Sequence, residues 1–401
     1  MNCFSHMRQR KNVTYILIGI LGLLIALLYH HIQPPNNYSN SLLSDSYHYE
    51  KIYEYFRGNS KDYNVKFPIN TRVLIPFLAA QLWGNEINLN FFIVNTFFAI
   101  LALISIYKIM DFYHVERRVI MLSILWFSLH WAGPFRQNAY NPVNVDIHIY
   151  LFESVFLLLL IKRKYWLLLL ITPIAIASKE IFLAIIIVFF VVSLIWRFYF
   201  CDKSISVPWT FGIMIFGIVT KYLLNYYYPP VSSGNNSIIV MAFHLREMIL
   251  NPDHILRWLL SLFAAFGAFL FLAFNKNMNL LSIERNDLLI HILSLAVLSL
   301  SFLGGMDFTR LIILGFPYVL ISILKIGKPQ FQHVLVAFTI SILLTRFWQV
   351  LPEPACDISH YEAWMPERAE IKSLVLWFCA ALVSVVIFFI GKKFIRSQTY
   401  S

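Results

Sequence analysis

Residues 165–196, YWLLLLITPIAIASKEIFLAIIIVFFVVSLIW, decide the fold. The stretch is too long for one bilayer crossing of about 20 residues. Its only charged residues, Lys179 and Glu180, fall near the middle, so it reads as two crossings joined by a hairpin with almost no loop. Apolar runs of the same kind recur on both sides of it, from Val13 to Ile390. The chain has 401 residues, of which 59% are hydrophobic and 13% charged. A soluble domain carries about 25% charged residues and could not bury so much apolar surface. These numbers exclude a soluble enzyme, a secreted disulfide scaffold and a single-anchor receptor. They predict an all-α integral membrane protein, a single polytopic domain over residues 1–401. About twelve transmembrane helices are expected, at 13–31, 89–107, 119–133, 147–161, 165–178, 181–196, 207–224, 255–274, 288–303, 310–324, 332–349 and 372–391.

The formal net charge of +11 does not point to nucleic acid. The positives sit in short clusters between apolar runs, which is how a membrane protein fixes its orientation. The first run follows Arg8, Arg10 and Lys11 and lacks a small-residue cleavage site after it, so it is expected to stay as a first helix. The segment 71–83, TRVLIPFLAAQLW, is open to two readings: it crosses, or it lies along the membrane surface. If it does not cross, seven short loops and ends, from Arg8/Arg10/Lys11 to Lys392/Lys393/Arg396, share the cytoplasmic face. They then hold 18 of the 32 Lys and Arg with only 5 of the 21 Asp and Glu. That is the positive-inside arrangement. The segment is therefore expected to be interfacial, with both termini cytoplasmic. Residues 32–88, 225–254 and 350–371 then form long outer loops, the first of them amphipathic. The ionisable residues at helix ends, Asp45, Arg72, Arg136, Asp146, Lys179, Glu180, Asp307 and Arg310, fall on that same outer face.

Each of these has a bland reading beside a chemical one. Ser44 is a good N-cap, and Tyr49, Ile52, Tyr53 and Phe56 recur at helical spacing, so a short amphipathic helix starts near Asp45. Asp45 either caps that helix or acts as a general base on an acceptor hydroxyl. Arg72 stands after a proline-bounded turn, where an arginine fork suits either a phosphate or lipid headgroups. Residues 134–148, from Pro134 through Arg136 to Asp146 and His148, are dense in hydrogen-bonding groups, a composition that suits sugar contact or a structured loop. Asp146, Tyr150 and Glu153 share one helix face, which puts Glu153 about two turns into the apolar layer. In Gly304-Gly305-Met306-Asp307-Phe308-Thr309-Arg310, two glycines permit a tight turn before Asp307 and Arg310. His244, His254 and His360 show no ligand spacing with carboxylates, so no metal site is expected. Cys3, Cys201, Cys356 and Cys379 are scattered and predict no disulfide.

Together, the acid near the start of the first outer loop, the aromatic amphipathic helix, the Arg72-x-Leu-Ile-Pro stretch, Ser178-Lys179-Glu180 and Gly304-Gly305-x-Asp307-x-x-Arg310 resemble the GT-C superfamily of membrane glycosyltransferases. The resemblance implies transfer of a sugar from a polyprenyl-phosphate donor to an extracytoplasmic glycan, lipid or protein acceptor. It implies Asp45 as the catalytic acid of the first loop, with Arg72, Lys179 and Arg310 on the lipid phosphate; Arg136, Asp146, Glu180 and Asp307 join them as substrate-site candidates. It places the protein in a bacterial inner (plasma) membrane. The chain departs from metal-dependent members in lacking an Asp-x-Asp pair, which implies metal-independent chemistry without a cofactor, and it lacks a large C-terminal soluble domain. A flippase or other transporter, and a glycan polymerase or ligase, are the rival classes. Polar residues traced across the whole membrane depth would mark transport.

Overall fold

The computed structural model describes residues 2–36, 45–199, 205–231, 237–274, 285–303, 307–352 and 364–398. Every regular element among them is a helix. In chain order these are α1 (Asn2–Ile32), α2 (Asp45–Arg57), α3 (Leu74–Ala80), α4 (Ile87–Phe112), α5 (Arg117–Leu129) and α6 (Pro134–Tyr140). There follow α7 (Ile147–Ile161), α8 (Tyr165–Ser178), α9 (Ile181–Phe198), α10 (Val207–Tyr227), α11 (Ser237–Leu250) and α12 (Pro252–Phe266), the last continued by a 3-10 segment, Gly267–Phe274. The chain ends with α13 (Arg285–Leu303), α14 (Phe308–Leu314), α15 (Phe316–Gly327), α16 (Phe331–Leu344) and α17 (Ile371–Gln398).

Six helical stretches among the described residues are long and apolar enough to cross a membrane: Asn12–Ile32, Ile87–Phe112, Ile181–Phe198, Val207–Tyr227, Pro252–Phe274 and Ile371–Lys393. A seventh is the pair α14 and α15, bent by 71° at Gly315. The chain is thus an all-helical membrane protein. Of the twelve expected runs, four form apolar helices shorter than a crossing, Ile147–Ile161, Tyr165–Ser178, Asp287–Leu303 and Phe331–Leu344, and 119–133 folds as the 13-residue α5. A glycine breaks the helix inside one of the long stretches. Gly267 has φ +54°, a region that favours glycine, and a Cβ there would come within 2.6 Å of Ser341 Oγ. The α-helix therefore ends there and the path continues as 3-10, with Ala268 N–H donating to Ser341 Oγ.

The helices group into two compact units. The first comprises residues 1–113, 134–186 and 204–232. In it α4 packs along α1 and α7, α10 lies on α8, and α2 lies on α3. The expected amphipathic helix forms at Asp45, and it buries Tyr49, Ile52 and Tyr53 against Ile69, Val73, Ile75 and Ala79. Each such side chain contributes roughly 1.5–3 kcal/mol by leaving water. Ser44, its proposed cap, lies outside the described residues. The segment 71–83 yields a 3-10 turn, Ile69–Thr71, and the seven-residue α3. A helix of that length spans about 10 Å against a hydrocarbon layer of about 30 Å, so α3 does not cross.

The second unit comprises residues 114–133, 187–203 and 233–401. Its aromatic core stacks Phe127 of α5 on Phe316 of α15, with centroids 3.8 Å apart, and sets Trp126 4.7 Å from Phe269.

Candidate functional site

The break between α8 and α9 is two residues long, as the sequence predicts, but Lys179 and Glu180 do not pair with each other. Each faces a different segment of the first unit. Glu180 grips the Arg72 fork with both oxygens: Arg72 Nε donates to Glu180 Oε2 at 2.8 Å and Nη2 to Oε1 at 2.5 Å. Arg72 Nη1 donates to Tyr49 Oη at 2.5 Å and to Asp45 Oδ2 at 3.2 Å. The Lys179 ammonium pairs with Asp146. The structure thus brings together five of the eight candidate residues, Asp45, Arg72, Asp146, Lys179 and Glu180, around the start of α2, the turn before α3 and the α8–α9 hairpin.

Exposure differs sharply within the cluster. The Arg72 side chain is 8% exposed and that of Asp45 50%. Burial pushes the Glu180 carboxyl up, but the Arg72 guanidinium, its hydrogen bonds, and the charges of Lys221 and Lys179 outweigh this and hold its pKa down at about 2. Burial raises the Tyr49 phenol above its ordinary value despite the neighbouring Arg72, so Tyr49 is a neutral acceptor for Arg72. One turn along α2 from Asp45, the His48 ring is buried and neither nitrogen has a hydrogen-bond partner among the described residues. Burial, then Lys66 and Lys51, lower its pKa to about 4 against a smaller opposing effect of Asp45, so the ring is neutral at pH 7.

Two residues of the cluster have no counterpart in the sequence reading. Tyr49 was read only as part of an apolar face. Lys221 lies within the span Val207–Tyr227, and its Nζ donates to Thr71 Oγ1 at 2.5 Å. The signal for Lys221 was present, since it is the one charge in a long apolar run.

The other candidates have other partners. Arg136, in α6, is fully buried with its guanidinium 5.6 Å from the Tyr29 ring, and burial lowers its pKa to about 10 despite the opposing pull of Tyr29. The hydrogen-bonding groups around it bind the protein itself. Asn138 Nδ2 donates to Phe92 O and Thr96 Oγ1, Asn95 Nδ2 donates to Pro142 O, and Ser46 Oγ donates to Asn141 Oδ1. These bonds give residues 134–148 the order of a structured loop, one of the two readings the sequence leaves open. Glu153 is buried in α7, about two turns beyond Asp146.

Asp307 and Arg310 belong to the second unit. Asp307 pairs with Arg368 and, at 3.4 Å, with Arg310. Beside them Thr309 donates from N–H and Oγ1 to the buried Glu367 carboxylate, which also accepts from Ser261 Oγ. The Asp-Phe-Thr-Arg segment is therefore a clasp on residues 366–369. Gly304, Gly305, Cys356 and His360 lie outside the described residues. Among the described residues no three His, Cys, Asp or Glu side chains gather as a metal site. Comparison of the chain with protein-family profiles, curated proteins and solved structures returned no match.

Proposed function

We propose that this protein is a GT-C-type membrane glycosyltransferase of about twelve crossings, moving one sugar from a polyprenyl-phosphate donor to an extracytoplasmic acceptor. The observation that carries the reading is the setting of Asp45. It is the most open carboxylate of a buried ion-pair cluster, and its link to Arg72 is a single N–H at 3.2 Å, because Glu180 takes the fork. An exposed carboxylate fixed in place by a buried arginine suits a general base. In the reaction Asp45 takes the proton of the acceptor hydroxyl as its oxygen bonds to the anomeric carbon. The bond from that carbon to the phosphate oxygen breaks, and the electron pair leaves with the polyprenyl phosphate.

The donor phosphate, in this reading, is drawn by Arg72 and Lys179 at the outer face of a bacterial plasma membrane, with both termini in the cytoplasm. Arg72 and Lys179 already hold carboxylates, so they act on the phosphate through exchange of partners or through the field of the cluster.

The test is sugar transfer by purified Asp45→Asn protein. Asparagine keeps the shape and the helix-capping capacity but cannot take a proton. Transfer should fall by roughly 10²–10⁴-fold while the protein stays folded and membrane-inserted. Turnover close to the unsubstituted protein's would leave Asp45 as a helix cap and remove the residue on which the enzyme reading stands.

A further inference from the structure

Lys221 is an expensive residue in its place. It lies in an apolar helix of membrane-spanning length, a turn and a half before the end of α10. A charge at such a position normally faces an opposite charge or a polar cavity. Lys221 feels the charge of Glu180, but no carboxylate is left to bond it. Glu180 holds Arg72 with both oxygens, and Asp146 holds Lys179. The Lys221 ammonium has one hydrogen bond, to the neutral hydroxyl of Thr71, and lies 5.7 Å from the centre of the Phe67 ring. It forms no ion pair among the described residues. Of the three cations that meet at this site, Lys221 alone has no carboxylate at hydrogen-bond distance.

Its surroundings hold it there. Asn225, one turn further along α10, accepts at 3.1 Å from Asn70 Nδ2, which also donates to Tyr228 O, and this fixes the helix against the turn bearing Thr71. Around α10, Gly217 and Thr220 are buried on one side of Lys221, while Ile218 and Tyr222 are exposed on the other. The exposed side is a continuous apolar flank that runs back through Ile215 and Phe211. A cation with open donors at the head of an apolar flank matches one ligand shape, an anionic head on an apolar chain.

We propose that Lys221, with Thr71 beside it, binds the phosphate head of a lipid whose chain lies along the exposed flank of α10. The inference stands apart from the transferase reading, since it concerns binding alone and holds whether the lipid is a reactant or a constituent of the bilayer. The ligand takes up to two charge-assisted hydrogen bonds from the ammonium, whose third N–H stays on Thr71, and neutralises it without disturbing the Arg72–Glu180 pair.

The test uses the full chain in nanodiscs of neutral phosphatidylcholine, titrated with dodecyl phosphate, with phosphatidylglycerol, and with inorganic phosphate. Dodecyl phosphate should bind, Lys221→Met should weaken it by roughly tenfold or more, as loss of a charged hydrogen bond requires, and Lys221→Arg should retain it. Equal weakening for phosphatidylglycerol assigns the site to a bilayer phospholipid; weakening for dodecyl phosphate alone assigns it to a single-chain or isoprenoid phosphate. Inorganic phosphate that binds as tightly as dodecyl phosphate would overturn the role of the α10 flank. A second measurement needs no variant. In the unsubstituted protein, dodecyl phosphate should slow acetylation of Lys221, read by peptide mass spectrometry, several-fold more than that of Lys179. Unchanged affinity in a folded Lys221→Met protein, or no protection of Lys221, overturns the proposal. Loss of sugar transfer in Asp45→Asn with lipid binding intact would leave it standing.

Discussion

At the scale of the residue, the Arg72–Glu180 pair is the contact on which the cluster depends. A buried ion pair adds little net stability over an apolar pair of the same volume, but removing one partner leaves a buried charge unanswered. Glu180→Ala should therefore destabilise the protein by roughly 3 kcal/mol, seen as a lower thermal midpoint in detergent, while Arg72→Met with Glu180→Leu should recover most of that loss. Equal midpoints for the single variant and the unsubstituted protein would mean that the pair does not form. The pair also sets a pH dependence. The Glu180 pKa in the fold, about 2, lies below the unfolded value of about 4.3, so its stabilisation is complete above the unfolded value. It is lost as pH falls from about 4.3 toward 2, and Glu180→Gln should flatten that part of the stability curve. Much of this was legible in the sequence. An isolated Lys-Glu pair inside an apolar stretch is expensive enough to mark a site by itself. What could not be read was the choice of partner. Local spacing suggests that Lys179 and Glu180 neighbour each other in a turn, whereas their partners lie 33 and 108 residues away. Arg72 likewise carries no sequence sign that its fork is taken by a carboxylate rather than left for a phosphate.

At the scale of the element, α10 delivers Lys221 to the cluster because Gly217 lets it approach the α8–α9 hairpin. A Cβ at Gly217 would sit 3.1 Å from the methyl tips of Ile176 and Leu183 and 3.5 Å from Thr172. Small residues permit such close contacts between membrane helices. The neighbours are flexible side-chain ends, so Gly217→Ala should be accommodated with a shift of a few tenths of an ångström. Gly217→Leu should push α10 outward and break the Lys221–Thr71 hydrogen bond. Disulfide trapping between cysteines at Asn70 and Asn225 should follow the same order, efficient with glycine or alanine at 217 and poor with leucine. Trapping that ignores the leucine would show that α10 is held by other contacts. The elements themselves were largely legible. The period of Tyr49, Ile52 and Tyr53 located α2, and the charge balance of the loops set 71–83 apart from the crossings. Helix lengths were less so, because hydropathy reports what a segment can bury and not where its backbone breaks. Gly267, whose positive φ ends α12, and Gly315, at the bend between α14 and α15, interrupt apolar runs with no change in hydropathy.

At the scale of the whole molecule, orientation follows from one short segment. Each crossing reverses the side of everything after it, so whether residues 71–83 span the bilayer decides the side of every later loop. Two independent facts argue that they do not. Charge is the first: with twelve crossings and none at 71–83, the short loops on the inner side would hold 18 basic residues against 5 acidic ones, and the rest of the chain 14 against 16. Geometry is the second: α3 has seven residues, far fewer than a crossing needs. The prediction is read with single cysteines in a protein whose four native cysteines are replaced by serine. Lys61→Cys, on an exposed loop after α2, should react with an impermeant thiol reagent in intact cells. Phe112→Cys and Arg163→Cys, exposed at the ends of α4 and α7, should react only after the membrane is permeabilised. Tyr140 is unsuitable as a probe, since it is buried in α6 and a cysteine there would be shielded on either side. Labelling of all three sites in intact cells would require 71–83 to cross despite its length. Labelling of 112 and 163 but not of 61 would invert the whole chain. Either result would place Asp45 and Glu180 on opposite sides of the membrane or turn both toward the cytoplasm. The first is incompatible with Arg72 bridging Asp45 and Glu180, and the second would deny Asp45 an extracytoplasmic acceptor.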